Sequence, residues 1–194
     1  MNYCPIDRIV YEKKKDRFGV EKEVRTRKTE FPDFYDYDVY FFDSVEEAEQ
    51  EGKHLCVLKS RRKGYSYKCA SMACRNYYII PNSKSYIYAS DKEYLLGDGT
   101  FTKVVGYMSF IDKHTAFAKK KSINKTLHKR AGFFTKDEFG NEVEMGYKSE
   151  IIGASLKDDP SKVRGKAGKL ILFEEGGSFS ELSAAWAIAR PSVE

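Results

Sequence analysis

An apolar run that ends abruptly in two adjacent carboxylates, Lys169-Leu170-Ile171-Leu172-Phe173-Glu174-Glu175, constrains this chain more than any other stretch. A strand buried on both faces of a parallel sheet reads as continuous apolar sequence, and open α/β sheets bind ligands at the carboxyl ends of their strands. Glu174 and Glu175 would sit there, one able to hold a hydrated Mg²⁺ and the other to polarise a water. Taken alone, the run also fits a strand entering a polar turn. A partner upstream decides its meaning.

That partner is Lys59-Ser60-Arg61-Arg62-Lys63-Gly64-Tyr65-Ser66-Tyr67, directly after the apolar segment His54-Leu55-Cys56-Val57-Leu58. A strand, a loop holding a glycine and three consecutive cations, and a helical stretch outline a phosphate-binding loop. Gly64 lets the backbone turn sharply and approach a phosphate, and the first N–H groups of the next helix point at the anion with the dipole's positive end behind them. Ser66 can supply a hydroxyl to Mg²⁺. The full G-x-x-x-x-G-K-[ST] pattern is not met: Tyr65 stands where the lysine belongs, and no first glycine is present. A basic turn capping a helix would carry the same residues.

Order strengthens the pairing. The loop follows one apolar segment, the double carboxylate ends another, the interval has room for crossover units, and Val163-Arg164-Gly165 precedes the second. From about residue 54 to 190 the chain resembles the ATPase domain of the terminase large subunit, the motor that packages DNA into the capsids of tailed phages and herpesviruses. That family has a variant Walker A loop, Ser-Arg-x-x-Gly-Lys-Ser/Thr, an Arg-Gly pair, and a Walker B strand ending in an acid plus a catalytic glutamate. Here these become Ser60 to Ser66, Arg164-Gly165 and Ile171 to Glu175. The resemblance implies an α/β fold of the P-loop NTPase class, RecA-like with an additional strand and a catalytic glutamate, with a mainly parallel sheet flanked by helices.

It further implies ATP and Mg²⁺ as cofactors, with nucleotide held by Ser60, Arg61, Arg62, Lys63, Gly64, Tyr65, Ser66 and Tyr67. Ser66 and Glu174 would hold Mg²⁺, partly through water. Glu175 would orient the attacking water, and Arg61 would be a cis arginine on the transferring phosphoryl group. Two departures stand out. The family's lysine falls on Tyr65, which leaves Lys63, Arg61 or Arg62 to neutralise the phosphates, and its Walker B aspartate is Glu174, one methylene longer. The implied partners are double-stranded DNA, further copies of the chain in a ring, and the capsid portal or small terminase subunit. The implied location is the cytoplasm of an infected host cell.

Composition agrees with a soluble α/β piece. The 194 residues suit one domain, and 41% apolar residues supply a core. No run approaches the roughly 20 apolar residues of a membrane span, and the N-terminus lacks the apolar stretch of a signal peptide. Cys4, Cys56, Cys69 and Cys74 have no C-x-x-C spacing, and His54, His114 and His128 are scattered, so neither a zinc site nor a disulfide framework is expected. Cys56, Cys69 and Cys74 read as core residues.

Two parts are expected: residues 1–43, a charged and aromatic N-terminal segment, and 44–194, a partial P-loop ATPase core. Residues 1–30 read as an arm or small strands. The aromatic belt from Phe31 to Phe42 reads as a peripheral packing layer, with an adenine pocket as the alternative. A helix is expected to start at Asp43 or Ser44. After the loop come a helix from Tyr65 to Tyr78 stopped by Pro81, a parallel strand from Ser85 to Ser90, and a short helix capped by Asp91.

Phe101 to Arg130 reads as mostly helix, ending in a basic run whose Lys119, Lys120, Lys121, Lys125, Lys129 and Arg130 stand without an acid among them. These six are the candidate nucleic-acid contacts. Phe133 to Ser155 reads as a hairpin followed by the buried strand Ile151-Ile152-Gly153-Ala154, and Glu181 to Arg190 as a helix. A sheet of this class needs a further strand, so the chain is expected to be incomplete at its C-terminus. Two other readings share these residues: a helicase or recombination ATPase, and a non-catalytic nucleic-acid-binding module with a degenerate nucleotide site.

Overall fold

The computed structural model describes residues 4–60, 63–157 and 159–190. They divide into two compact units, one running through Val57 and the other starting at Leu58.

In the first unit, β1 (Ile6–Lys15) and β2 (Glu21–Glu30) pair antiparallel, from Ile6 opposite Glu30 to Lys15 opposite Glu21. The turn between them is closed by the Asp16 carboxylate, which accepts the N–H groups of Phe18 at 2.9 Å and Val20 at 3.1 Å. The small strands expected of this arm are thus one long hairpin. Helix α1 (Asp36–Gln50) starts seven residues before the expected Asp43, which is a correction. Asp36 and Asp38 set the earlier start: both lie in the first turn at the positive end of the dipole, and the Asp38 carboxylate accepts the Tyr35 N–H at 2.8 Å. Arg8 joins strand to helix entry through Glu30 at 3.3 Å and Asp33 at 2.9 Å.

The second unit is a five-stranded sheet with helices on both faces. Helix α2 (Tyr65–Ile79) begins at Gly64 and gives way before Pro81. Strand β3 (Lys84–Ala89) follows, then a 3-10 turn, Lys92–Tyr94, capped by the Asp91 carboxylate on the Glu93 N–H. Helix α3 (Thr100–His114) starts where the chain passes so close to itself that a Cβ on Gly99 would lie 2.3 Å from the Tyr94 carbonyl oxygen. Strands β4 (Lys121–Lys125) and β5 (His128–Ala131) form a hairpin, as do β6 (Phe133–Lys136) and β7 (Glu142–Met145). Strand β8 (Glu150–Ser155), β9 (Leu170–Glu174) and α4 (Leu182–Ala189) complete the unit.

The order in the sheet is β4-β5-β8-β3-β9. Strands β8, β3 and β9 run parallel, while β5 is antiparallel to β8 and β4 to β5, so the fold is a mixed α/β one. Alternation along β3 sets the two faces. Tyr86 and Tyr88 point into a core with Leu156, Val163, Phe179, Ala185 and Ala189, beneath α4. Ser85 faces the other way and accepts a hydrogen bond from Asn76 of α2 at 3.4 Å. On that side α2 and α3 are tied by the Tyr78 hydroxyl, which donates to Asp112 at 2.8 Å. Gly153 keeps β8 open to α3, since a Cβ there would lie 2.8 Å from the Phe101 ring.

Three sequence expectations are corrected here. The basic run is a β-hairpin, not the end of a helix: α3 stops at His114, with Thr115 extended, and β5 pairs with the buried β8. Tertiary pairing overrides local helical propensity at this point. His54 to Leu58 forms no strand. Among the described residues β9 ends the sheet order, so this segment has no ladder partner there, and Leu58 is 95% exposed. Cys56, expected in the core, is exposed with that segment.

Candidate functional site

The loop and the acid-ended strand meet. Gly64 takes the left-handed conformation, φ 70°, that turns the chain into α2, and its carbonyl accepts the N–H groups of Tyr67 at 3.0 Å and Lys68 at 3.2 Å. This places Ser66 in the first helical turn, where its hydroxyl donates to Glu174 Oε1 at 3.0 Å. Glu174 is the last residue of β9, beside Ala89 of the neighbouring β3, and is 8% exposed. A buried carboxylate must be satisfied by a partner, and Ser66 is one.

The next residue leaves the strand sharply. Glu175 has φ 52° and ψ 49°, a left-handed backbone unusual for a residue with a side chain, and a 3-10 turn, Gly176–Ser178, follows it. The Glu175 carboxylate is half exposed and lies 3.4 Å from Lys59 Nζ. Two carboxylates on successive residues thus differ in setting: Glu174 is buried on a hydroxyl, and Glu175 is open on an ammonium.

Around this centre the first turns of α2 carry a cluster the sequence did not single out. Lys68 is buried, with Nζ 4.0 Å from the centroid of the Tyr65 ring. Tyr65 thus brings a cation onto its ring although it replaces one. Tyr67 packs against Tyr107 of α3 at 5.9 Å, with Lys103 Nζ 5.2 Å from its ring. Burial, reinforced by the Glu174 carboxylate, pushes the Cys69 thiol up to about 12, so it is protonated near neutral pH.

Of the expected nucleotide contacts, Gly64, Tyr65, Ser66 and Tyr67 come together at the start of α2, while Ser60 and Lys63 are exposed in the loop. Arg61 and Arg62 lie outside the described residues. Arg164 and Gly165 follow a 3-10 turn, Pro160–Val163, and Gly165 has φ 67°. Sequence reasoning missed Lys59 and Lys68. Lys59 opens the loop, and Lys68 lies one helical turn beyond Tyr65, so i, i+3 spacing was the available signal. Ser66 and Glu174 offer hydroxyl and carboxylate oxygens, the hard donors that suit a magnesium ion keeping much of its water. Among the described residues no group of three or more histidine, cysteine, aspartate or glutamate residues could cage a metal ion.

The basic run is divided by the hairpin. Arg130 is committed to acids, with Nε and Nη2 each 2.7 Å from Glu144 and Nη1 on Glu150. Lys121 pairs with Asp112. Lys119 Nζ lies 3.6 Å from the Tyr147 ring centroid, and Lys120 Nζ lies 5.2 Å from that of Phe133. Lys129 donates to Asn124 Oδ1 at 2.7 Å, and Lys125 is exposed at the end of β4.

A helix led in by a glycine loop and held to an acid at the carboxyl end of a parallel strand defines the class, a mixed α/β core whose candidate site lies where open α/β sheets bind their ligands. Within it, the fold is similar to that of a phage terminase large-subunit ATPase domain. The ATPase domain of the Thermus phage P74-26 large terminase is similar over 69% of this chain and 51% of its own, with 18% identity and a TM-score of 0.54. A structure of that domain with an arginine replaced by alanine gives 16% identity over 69% and 52%, with a TM-score of 0.49. The chain spans about half the length of the solved structures it matches. No family model matches the sequence, and no curated protein sequence matches it.

Proposed function

We propose that this chain is the ATPase core of a viral DNA-packaging terminase large subunit, binding ATP with Mg²⁺ and hydrolysing it to drive double-stranded DNA into a capsid. The observation that carries the reading is the 3.0 Å hydrogen bond from Ser66 to Glu174, which joins the glycine-led helix to the acid-ended strand. Both ends of a nucleotide site are then in one place, as hydrolysis requires.

Mg²⁺, when bound, would neutralise charge on the phosphates, with Ser66 and Glu174 as its protein oxygens. The N–H groups at the start of α2 would bind the phosphates with the helix dipole aligned. Glu175, open and adjacent, would accept a hydrogen bond from the attacking water and take its proton as the water oxygen bonds to the γ-phosphorus and the bond to the bridging oxygen breaks, ADP leaving with that electron pair. Lys59, already paired with Glu175, would place an ammonium beside the transferring group, the role Tyr65 cannot fill. A ring of copies, a portal or small-subunit partner, and work in the infected-cell cytoplasm go with this reading. No helix among the described residues is long and apolar enough to cross a membrane.

The stacking of Lys68 on Tyr65 favours a second reading, a nucleotide site that has become structural in a nucleic-acid-binding module. Calorimetric titration with ATP and Mg²⁺, together with phosphate-release assays, separates the two. The ATPase reading expects binding that Glu175→Gln retains and turnover that it abolishes. Absence of nucleotide binding by the parent chain, or unchanged turnover in Glu175→Gln, defeats it.

A further inference from the structure

Away from the loop and strand end, α3 and the β4–β5 hairpin border an open cavity of about 420 Å³ whose polar wall is Ser109, Asp112, Lys113, Lys121, Asn124 and Lys129. A second cavity, about 270 Å³, shares Val105 and Lys129 with the first and is walled by Leu96, Phe101 and Thr126. Together they form one groove with a cationic end and an apolar end.

Three ammonium groups and one carboxylate meet at the cationic end, and the apolar end adds no acid. Lys121 is paired with Asp112, whereas Lys129 is met by the neutral Asn124 amide. Burial, and then the charge of Lys121, depress the Lys129 pKa, so the site crowds positive charge in a partly desolvated place. An anion relieves that crowding. The apolar end gives a ligand a reason to extend beyond its charge, since pockets for small ligands are mostly apolar with a few placed polar groups.

We propose that this groove binds a nucleoside phosphate, with the phosphate among Lys113, Lys121 and Lys129 and the base over Val105 and Leu96, the nucleotide being free or one unit of a nucleic-acid strand. A single anion beside a single apolar slot has the outline of a nucleotide. An acidic peptide would call for cations spaced along its length. The groove shares no residue with the loop-and-strand site and does not depend on hydrolysis there.

Amide NMR titrations of the whole chain test this with thymidine monophosphate, inorganic phosphate, a short oligothymidylate and an oligoglutamate peptide. The monophosphate is expected to shift amides in 105–113 and 121–129. Replacing both Lys121→Gln and Lys129→Gln should weaken it about tenfold, as loss of charge-assisted contacts does. Val105→Ser, which leaves the lysines in place and adds no charge, should weaken monophosphate binding and spare inorganic phosphate. Oligothymidylate binding about tenfold tighter than the monophosphate identifies a strand as the source, and equal binding identifies the free nucleotide. The proposal is overturned if shifts are confined to 63–69 and 174–178, if the double lysine variant binds unchanged, or if inorganic phosphate or oligoglutamate binds as tightly as the monophosphate.

Discussion

Ser66→Ala removes one oxygen and tests whether the helix start is fastened to the strand end. The hydroxyl donates to Glu174 at 3.0 Å, and Glu174 is 8% exposed, so water cannot fully replace the lost donor. A hydrogen bond to a charged group contributes about 1.5–3 kcal/mol net, and the half-buried setting of Ser66 places the expectation near the low end, about 1.5 kcal/mol. Glu174→Gln keeps an acceptor oxygen but removes the charge, so Ser66→Ala should cost less in that background. The difference is the coupling between the two side chains, expected at about 1 kcal/mol. Trp186, the single tryptophan, packs against Phe173 of β9 at 6.2 Å, so its fluorescence reports unfolding of the strand that carries the acid. Urea titrations of parent, single and double variants give the four free energies, with unchanged slopes as the check that one transition is compared. A coupling indistinguishable from zero would refute the argument: loop and strand would then be neighbours without being joined, and the observation behind the functional reading would fall.

Lys59→Ala should weaken ATP binding about tenfold or more, close to 1.4 kcal/mol, whereas an exposed cation without a phosphate to meet typically changes affinity by less than 1 kcal/mol; fluorescent-nucleotide titration beside Lys63→Ala gives the comparison, and equal small effects remove Lys59 from the site. Glu144 provides a pH prediction. Its carboxyl is held below the ordinary value of 4.5 by hydrogen bonds from Arg130 and then Ser122. A depressed folded value supplies stability that is complete above the unfolded pKa and lost as pH falls through the folded one. The stability gap between parent and Glu144→Gln should therefore be widest above pH 4.5 and close as pH drops below it; urea midpoints at several pH values check this, and a gap independent of pH contradicts it.

The meeting of the loop with the acid-ended strand was more legible in the sequence than the sheet that carries them. The juxtaposition of Gly64 and Ser66 with Glu174 was readable because a glycine before a helix and an acid at the end of an apolar run are patterns of residues adjacent along the chain. Lys59 and Lys68 were not, because their roles depend on which side chain lies opposite in space. The helix stop at Pro81 and the β6–β7 hairpin are local events, and local residues announced them. The basic run was misread because Lys119 to Arg130 has no helix breaker, and only pairing with β8, whose Ile151 is fully buried, makes β5 a strand.

The segment His54 to Leu58 shows the converse, apolar sequence without its structure. Its residues suit a buried strand, yet a strand is a strand only beside another. In the sheet order β9 has β3 on one side and no described strand on the other, and Leu170 to Phe173 are only half buried although they read as a fully buried run. The exposed edge and the incomplete burial of β9 belong together: a strand paired on one side only is less fully covered than its neighbours. Parallel strands of this composition occur with both faces and both edges covered. The loop that begins at Lys59 is fastened at its helical end all the same, because Ser66 in the first turn of α2 donates to Glu174 at the end of β9, and fixed geometry of this kind is what a site built on rigid elements requires.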